Sequence, residues 1–277
     1  MSKYPALDPK SELGFKALNV GDTATGKTAS VATLLLAGQK VRFLSADNNA
    51  MAGINAGLEL YKINKDEVDL KVCVPERPAL SMVNMLDVID TMLKTEIDVI
   101  IKSKDKHRKE NKGFRNICEG ASMFTDILTG EVVGNVNEWG IDTTLVVDSL
   151  TVVCDEIRSA VCGTKPPTQP EWGQMQGFIK FFISYITGTL KCNVVLLAHP
   201  DKEVDAVTGA TRIYPLNLGK ALNGCIASNF SDVMYSQYDS KKYTWATKHR
   251  TAVCSGRNLP IKEELEQDYR QFFKPAK

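Results

Sequence analysis

Histidine, paired cysteines, net charge and long apolar runs are all scarce in this 277-residue chain, and each scarcity removes a class of function. Only His107, His199 and His249 occur, and the seven cysteines (Cys73, Cys118, Cys154, Cys162, Cys192, Cys225, Cys254) form no CxxC pair. An odd set scattered through apolar runs reads as reduced packing residues, and no His/Cys cluster has the spacing of a dedicated zinc site. Lys plus Arg number 34 against 33 Asp plus Glu, a net charge of +1. Bulk charge therefore draws the chain to no polyanion, and a nucleic-acid partner would need a local basic patch. No run approaches the roughly 18 apolar residues of a membrane span, and residues 1–14 lack the apolar stretch of a secretory signal. The expectation is a cytoplasmic protein with no membrane partner. What is present, 43% hydrophobic and 24% charged residues, is ordinary globular composition with chain enough for one large domain.

Short β-type runs alternate with longer helical ones, which predicts an α/β fold around a mostly parallel sheet. Phe15 to Val20 reads as a strand, Lys27 to Ala37 as a helix closed by Gly38, and Val41 to Ala46 as the next strand. Leu80, Val83, Leu86, Ile89 and Leu93 give helical periodicity between Ala79 and Lys94. The polar stretch Lys102 to Arg115 opens an inserted polar and helical segment, 102–142. Strands Thr143 to Val147 and Asn193 to Ala198 bracket helices from Leu150 and from Gly173 to Leu190. Asp232 to Tyr238 and Lys242 to Lys248, joined by Asp239-Ser240-Lys241, predict a C-terminal antiparallel hairpin, and Ile261 to Phe273 a final helix after Pro260. The expected organisation is one domain, with a nucleotide-binding first half (14–101), the insert, a second group of strands ending in the hairpin (143–260) and a terminal helix (261–277).

Gly21-Asp22-Thr23-Ala24-Thr25-Gly26-Lys27-Thr28 matches GxxxxGK[ST], directly after a predicted strand and before a predicted helix. The glycines permit a loop whose backbone N–H groups turn inward on a phosphate. Lys27 would neutralise the β and γ phosphates of ATP, and Thr28 would give its hydroxyl to Mg²⁺. An acid ending a buried strand should hold that metal, largely through water. Asp148, after Thr143-Thr144-Leu145-Val146-Val147, fits; Asp155-Glu156 imitates it but would leave Asp148 buried inside a strand. Asp47 ends the strand after the phosphate-loop helix, where an acid could polarise water; capping the helix that begins near Ala50 is its alternative role.

In this order of motifs the chain resembles the RecA-like core ATPases, and more closely their small phage-encoded members, some of which act in recombination and single-strand annealing. Phe43-Leu44-Ser45-Ala46-Asp47, Leu145-Val146-Val147-Asp148-Ser149-Leu150 and Val194-Val195-Leu196-Leu197-Ala198-His199-Pro200 carry the likeness, together with Leu128-Thr129-Gly130-Glu131 and Asn137-Glu138-Trp139-Gly140. The resemblance implies that Asp47 activates the attacking water, where the bacterial recombinase has Glu. It implies that His199 senses the γ-phosphate where that enzyme has Gln, with a charge that varies near neutral pH. It also implies that Lys248 and Arg250 reach into a neighbouring subunit's nucleotide, with Arg257 an alternative, which makes a homo-oligomer the working unit.

The same resemblance implies single-stranded DNA on two loops, Cys162 to Trp172 and Pro200 to Leu218. The first carries Lys165, three prolines and Trp172; the second Lys202, Arg212 and Tyr214. The cationic run Lys102 to Arg115 is either a further contact or a solvated face. The expected function is a DNA-stimulated ATPase of recombination or replication, acting with replication or recombination partners. A nucleotide-switched helicase loader of AAA+ type is the alternative and a small-molecule kinase a weaker one. A GTPase is disfavoured because Asn64-Lys65-Asp66-Glu67 spoils the guanine-reading NKxD pattern.

Overall fold

A computed structural model describes residues 13–45, 50–73, 123–126, 129–204 and 208–273. In chain order its first strands are β1 (Lys16–Gly21), β2 (Lys40–Ser45), β3 (Leu70–Cys73), β4 (Met123–Thr125), β5 (Val132–Asn135) and β6 (Thr143–Asp148). Then come β7 (Asn193–Ala198), β8 (Pro200–Val204), β9 (Thr211–Pro215), β10 (Asp232–Tyr238), β11 (Tyr243–Ala246), β12 (Ser255–Gly256) and β13 (Leu265–Glu266). Among the described residues, nine of these strands form one sheet in the order β13-β11-β10-β1-β7-β6-β2-β3, with β12 beside β10. From β10 to β3 every pairing is parallel, and β11, β12 and β13 extend that edge antiparallel. The fold is therefore the expected α/β one, a mostly parallel sheet flanked by helices and finished by the β10–β11 hairpin.

β6 and β7 are buried along their whole length, with apolar runs Leu145–Val147 and Val194–Ala198, because helices cover both faces of the sheet. Leu18, Val20, Leu145, Val147, Val194 and Leu196 point into one core, and Ala17, Val146, Val195 and Leu197 into the other. The period of two along each strand divides the side chains between the two layers. On one side lie α4 (Leu150–Cys162), α5 (Gln169–Gly188) and α6 (Asn223–Ala227), whose buried residues join the first core. On the other lie α1 (Lys27–Ser30), α2 (Ala32–Leu36) and α3 (Ala50–Leu60). Val31 between α1 and α2 keeps helical angles (φ −57°, ψ −32°), so the helical path continues from Lys27 to Leu36. At the start of α5, Glu171 Oε2 accepts from the Thr168 backbone N–H at 2.6 Å, the return half of a capping box. Among the described residues no helix is long and apolar enough to cross a membrane.

Two expectations are corrected. The predicted terminal helix Ile261 to Phe273 is instead an extended segment, the short strand β13 and a 3₁₀ turn at Tyr269–Phe273. Thr247 is the cause: its hydroxyl donates to Pro260 O at 2.6 Å and accepts from Lys262 N at 2.8 Å, while Leu265 pairs with Trp245, so the sheet edge claims the backbone. The described part of the insert is a β4–β5 hairpin followed by a 3₁₀ turn (Val136–Glu138) rather than an α-helix. Gly130 at φ +71° and the Asp126–Thr129 side-chain bond close its turn. The predicted helix Ala79 to Lys94 and the cationic run Lys102 to Arg115 lie outside the described residues.

Candidate nucleotide site

β1 delivers the chain to Gly21, and the loop turns through Ala24 (φ +62°) and Gly26 (φ +83°) before Lys27 opens α1. Gly26 is required twice over: its left-handed angle disfavours any side chain, and a Cβ there would press on Gln267 Oε1 and the Tyr243 ring. Thr25 Oγ1 donates to Asp22 O at 2.7 Å, which holds the loop closed on itself.

Lys27 is only 6% exposed. Its Nζ donates to Gly21 O at 2.6 Å and Asp22 O at 2.7 Å, so the ammonium lies inside the curl of the loop. Burial pulls its pKa down from 10.5 to about 8, against the opposing pull of Asp148 and Asp22. Thr28 Oγ1 donates to Asp148 Oδ2 at 2.8 Å, joining two residues 120 positions apart. The sheet makes that contact, because β7 pairs with both β1 and β6 and so sets Asp148 at the end of a strand separated from β1 by β7 alone. On its other side Asp148 is in register with Ser45, the last residue of β2.

Of the residues expected at the site, the loop Gly21–Thr28 and Asp148 thus come together. Asp155, the competitor, lies on the exposed face of α4. Asp47 lies outside the described residues. His199 follows β7 by one residue, half-buried, with its carbonyl accepting from Leu216 N at 2.7 Å. Lys248 and Arg250 are exposed beyond β11. Lys248 Nζ faces Glu263 Oε1 at 3.7 Å, and among the described residues no hydrogen bond or ion pair ties either cation to the chain's own loop. Arg257 is elsewhere: its backbone N–H donates to the buried Asp232 at 2.9 Å, at the start of β10, which is in register with Ala17 rather than with Gly21.

Three residues escaped the sequence reading. Tyr61, Tyr243 and Gln267 line a cavity of about 440 Å³ beside the loop, with Gly26, Gly53 and Leu60 among its other walls. Gln267 Nε2 donates to Thr25 O and Thr244 O, both at 2.9 Å, and Tyr61 OH donates to Gln267 O at 3.1 Å. No local pattern marks them, since Gln267 reaches the loop across 242 residues of sequence.

The residues fit a magnesium nucleotide. Thr28 and Asp148 offer hard oxygen donors side by side, as Mg²⁺ requires, and the desolvated Lys27 ammonium, bonded to the neutral carbonyls of Gly21 and Asp22, is suited to a phosphate. Loop, oxygen pair and sheet order together define a P-loop ATPase, a class that generally uses ATP and Mg²⁺. The chain belongs to the AAA domain family, whose profile matches residues 14–258. Among solved structures it is similar to one described as a prototypical ATPase from the type III secretion system of pathogenic bacteria, at 8% identity and a TM-score of 0.35. That alignment covers 81% of this chain and 51% of the other, so the chain spans about half the length of that relative. No curated protein matches the sequence.

Proposed function

We propose that the protein is an ATP-hydrolysing, single-stranded-DNA-binding RecA-like protein of recombination or replication, of the phage-encoded type, that works as a homo-oligomer. The observation that carries the nucleotide half is the Thr28–Asp148 contact beside a buried Lys27. Thr28 Oγ1 and Asp148 would hold Mg²⁺, Asp148 largely through water, and the ion would supply charge neutralisation at the phosphates. Lys27 exchanges its two loop carbonyls for phosphate oxygens, which returns a counter-charge to a desolvated ammonium. Asp47 polarises the attacking water, and His199, one residue past β7, responds to the terminal phosphate. Lys248 and Arg250 serve a neighbouring subunit's site, in keeping with their exposure.

Support for the DNA half comes from the two segments expected to hold it. Gln176 Nε2 donates to Leu218 O at 3.2 Å, and a Cβ at Gly219 would lie 3.9 Å from the Trp172 ring, so the start of α5 meets the chain leaving β9. In the two segments Lys165, Lys202 and Arg212 are exposed and Trp172 is 37% exposed, a combination of cations and one ring suited to phosphates and a stacked base. The test is steady-state ATP turnover with and without single-stranded DNA, with Lys27→Ala as the blank. A large rise with DNA supports the reading. Slow turnover indifferent to DNA contradicts it and favours a nucleotide-switched loader instead.

A further inference from the structure

The cavity beside Gly26 is walled by two tyrosines and floored by an amide. Tyr243 is braced by Tyr238, stacked on it with ring centroids 4.6 Å apart, and Tyr61 is tied by its hydroxyl to the backbone of Gln267. The cavity's 440 Å³ lies within the roughly 300–1,000 Å³ of small-molecule sites and it opens directly from the phosphate loop. Gln267 is 2% exposed, and its orientation is fixed chemically: Nε2 serves two carbonyls, Thr25 O and Thr244 O, which an oxygen could not do. Its Oε1 is buried with no hydrogen-bond partner among the described residues, and it converges with the Tyr243 ring on the same face of Gly26. A buried acceptor left unpaired is costly, so its presence in the wall of a ligand-sized cavity points to a donor on the ligand.

We infer that this cavity is the nucleobase subsite and that Gln267 selects a purine with an amine at the six position, adenine over guanine or hypoxanthine. The inference rests on the nucleotide-binding reading above. The tyrosine rings supply stacking that any purine accepts. Oε1 supplies the discrimination: the adenine amine donates to it, whereas guanine and hypoxanthine present a carbonyl at the same ring position, acceptor against acceptor.

Calorimetric titration of the full chain with ATP, inosine triphosphate and inorganic tripolyphosphate, each with Mg²⁺, tests this. The wild type should bind ATP about tenfold or more tightly than inosine triphosphate, the scale expected when a buried acceptor loses its donor. Gln267→Leu should bring the two within about twofold. Tyr243→Ala should weaken both alike and leave tripolyphosphate unchanged, a result that keeps the test alive should Gln267→Leu fail to fold. Equal affinity of the wild type for ATP and inosine triphosphate overturns the inference while leaving the nucleotide site standing. Absence of binding by ATP and tripolyphosphate alike overturns the nucleotide reading itself.

Discussion

The substitution Lys27→Met should change how folding stability varies with pH, in a direction set by the burial of the lysine. In the folded chain desolvation holds this amine at about 8, while the unfolded chain keeps the ordinary 10.5. Between those values the unfolded state binds a proton that the folded state has released, so the stability tied to this group rises with pH across that window. Below pH 8 both states carry the proton and the full cost of the buried charge is present. At about 1.4 kcal/mol per pH unit the cost is about 3 kcal/mol, partly offset by the bonds to Gly21 O and Asp22 O. Other groups titrate nearby. Lys16, buried on the carbonyls of Leu190 and Cys192, is also held at about 8 and acts in the same sense. Burial pushes Cys154 and Cys254 up to about 12 and Cys192 up to about 11, and these thiols act in the opposite sense above their ordinary 9.0. The difference between variant and wild type cancels them. Guanidinium unfolding followed by tryptophan fluorescence should give a stability difference, Lys27→Met variant minus wild type, that is flat from about pH 6.5 to 7.5. It should then decline by about 2 kcal/mol by about pH 9.5. A difference that stays flat over that whole range, or that grows, would refute the claim that Lys27 sits desolvated in the loop.

Asp232→Ala should lower unfolding free energy by about 3 kcal/mol in denaturant titration, because Asp232 accepts from the backbone N–H groups of Arg257, Asn258 and Leu259 in a buried setting. In α3, Gly57→Ala should cost about 1–3 kcal/mol, since its Cβ would collide with the Ala29 carbonyl where α3 crosses α1; thermal unfolding reads this directly. The double variant Lys248→Ala with Arg250→Ala should bind ATP as the wild type does yet lose hydrolysis, by about a thousandfold for a finger acting in trans. Loss of binding in that variant would remove the trans assignment.

Where the chemistry is local in sequence, the chain could be read. The phosphate loop is a run of eight residues whose meaning lies in its own spacing, and β7 and β10 have the bounds expected of them, Asn193–Ala198 and Asp232–Tyr238. Asp148 was legible for the same reason, as the acid that closes a buried strand. The C-terminal segment was not. Leu265, Tyr269 and Phe272 are buried at helical spacing, so the periodicity was real, but Trp245 and Thr247 recruit the backbone into a sheet edge, and tertiary pairing outweighs local pattern. Gln267 is hidden by that same error, because its place against Thr25 exists only once β13 has docked beside β11. In the insert, the turn at Gly130 depends on a positive φ that Leu128-Thr129-Gly130-Glu131 permits without announcing.

The central claim is that Lys27, Thr28 and Asp148 together hold a magnesium nucleotide, and equilibrium binding of ATP to the purified chain tests it most directly. With Mg²⁺ present, the wild type should bind one ATP per chain, and both Lys27→Ala and Asp148→Ala should weaken that binding by at least about tenfold while retaining the wild-type circular dichroism spectrum. Undiminished ATP affinity in Lys27→Ala, or no ATP binding by the wild type, would contradict the account.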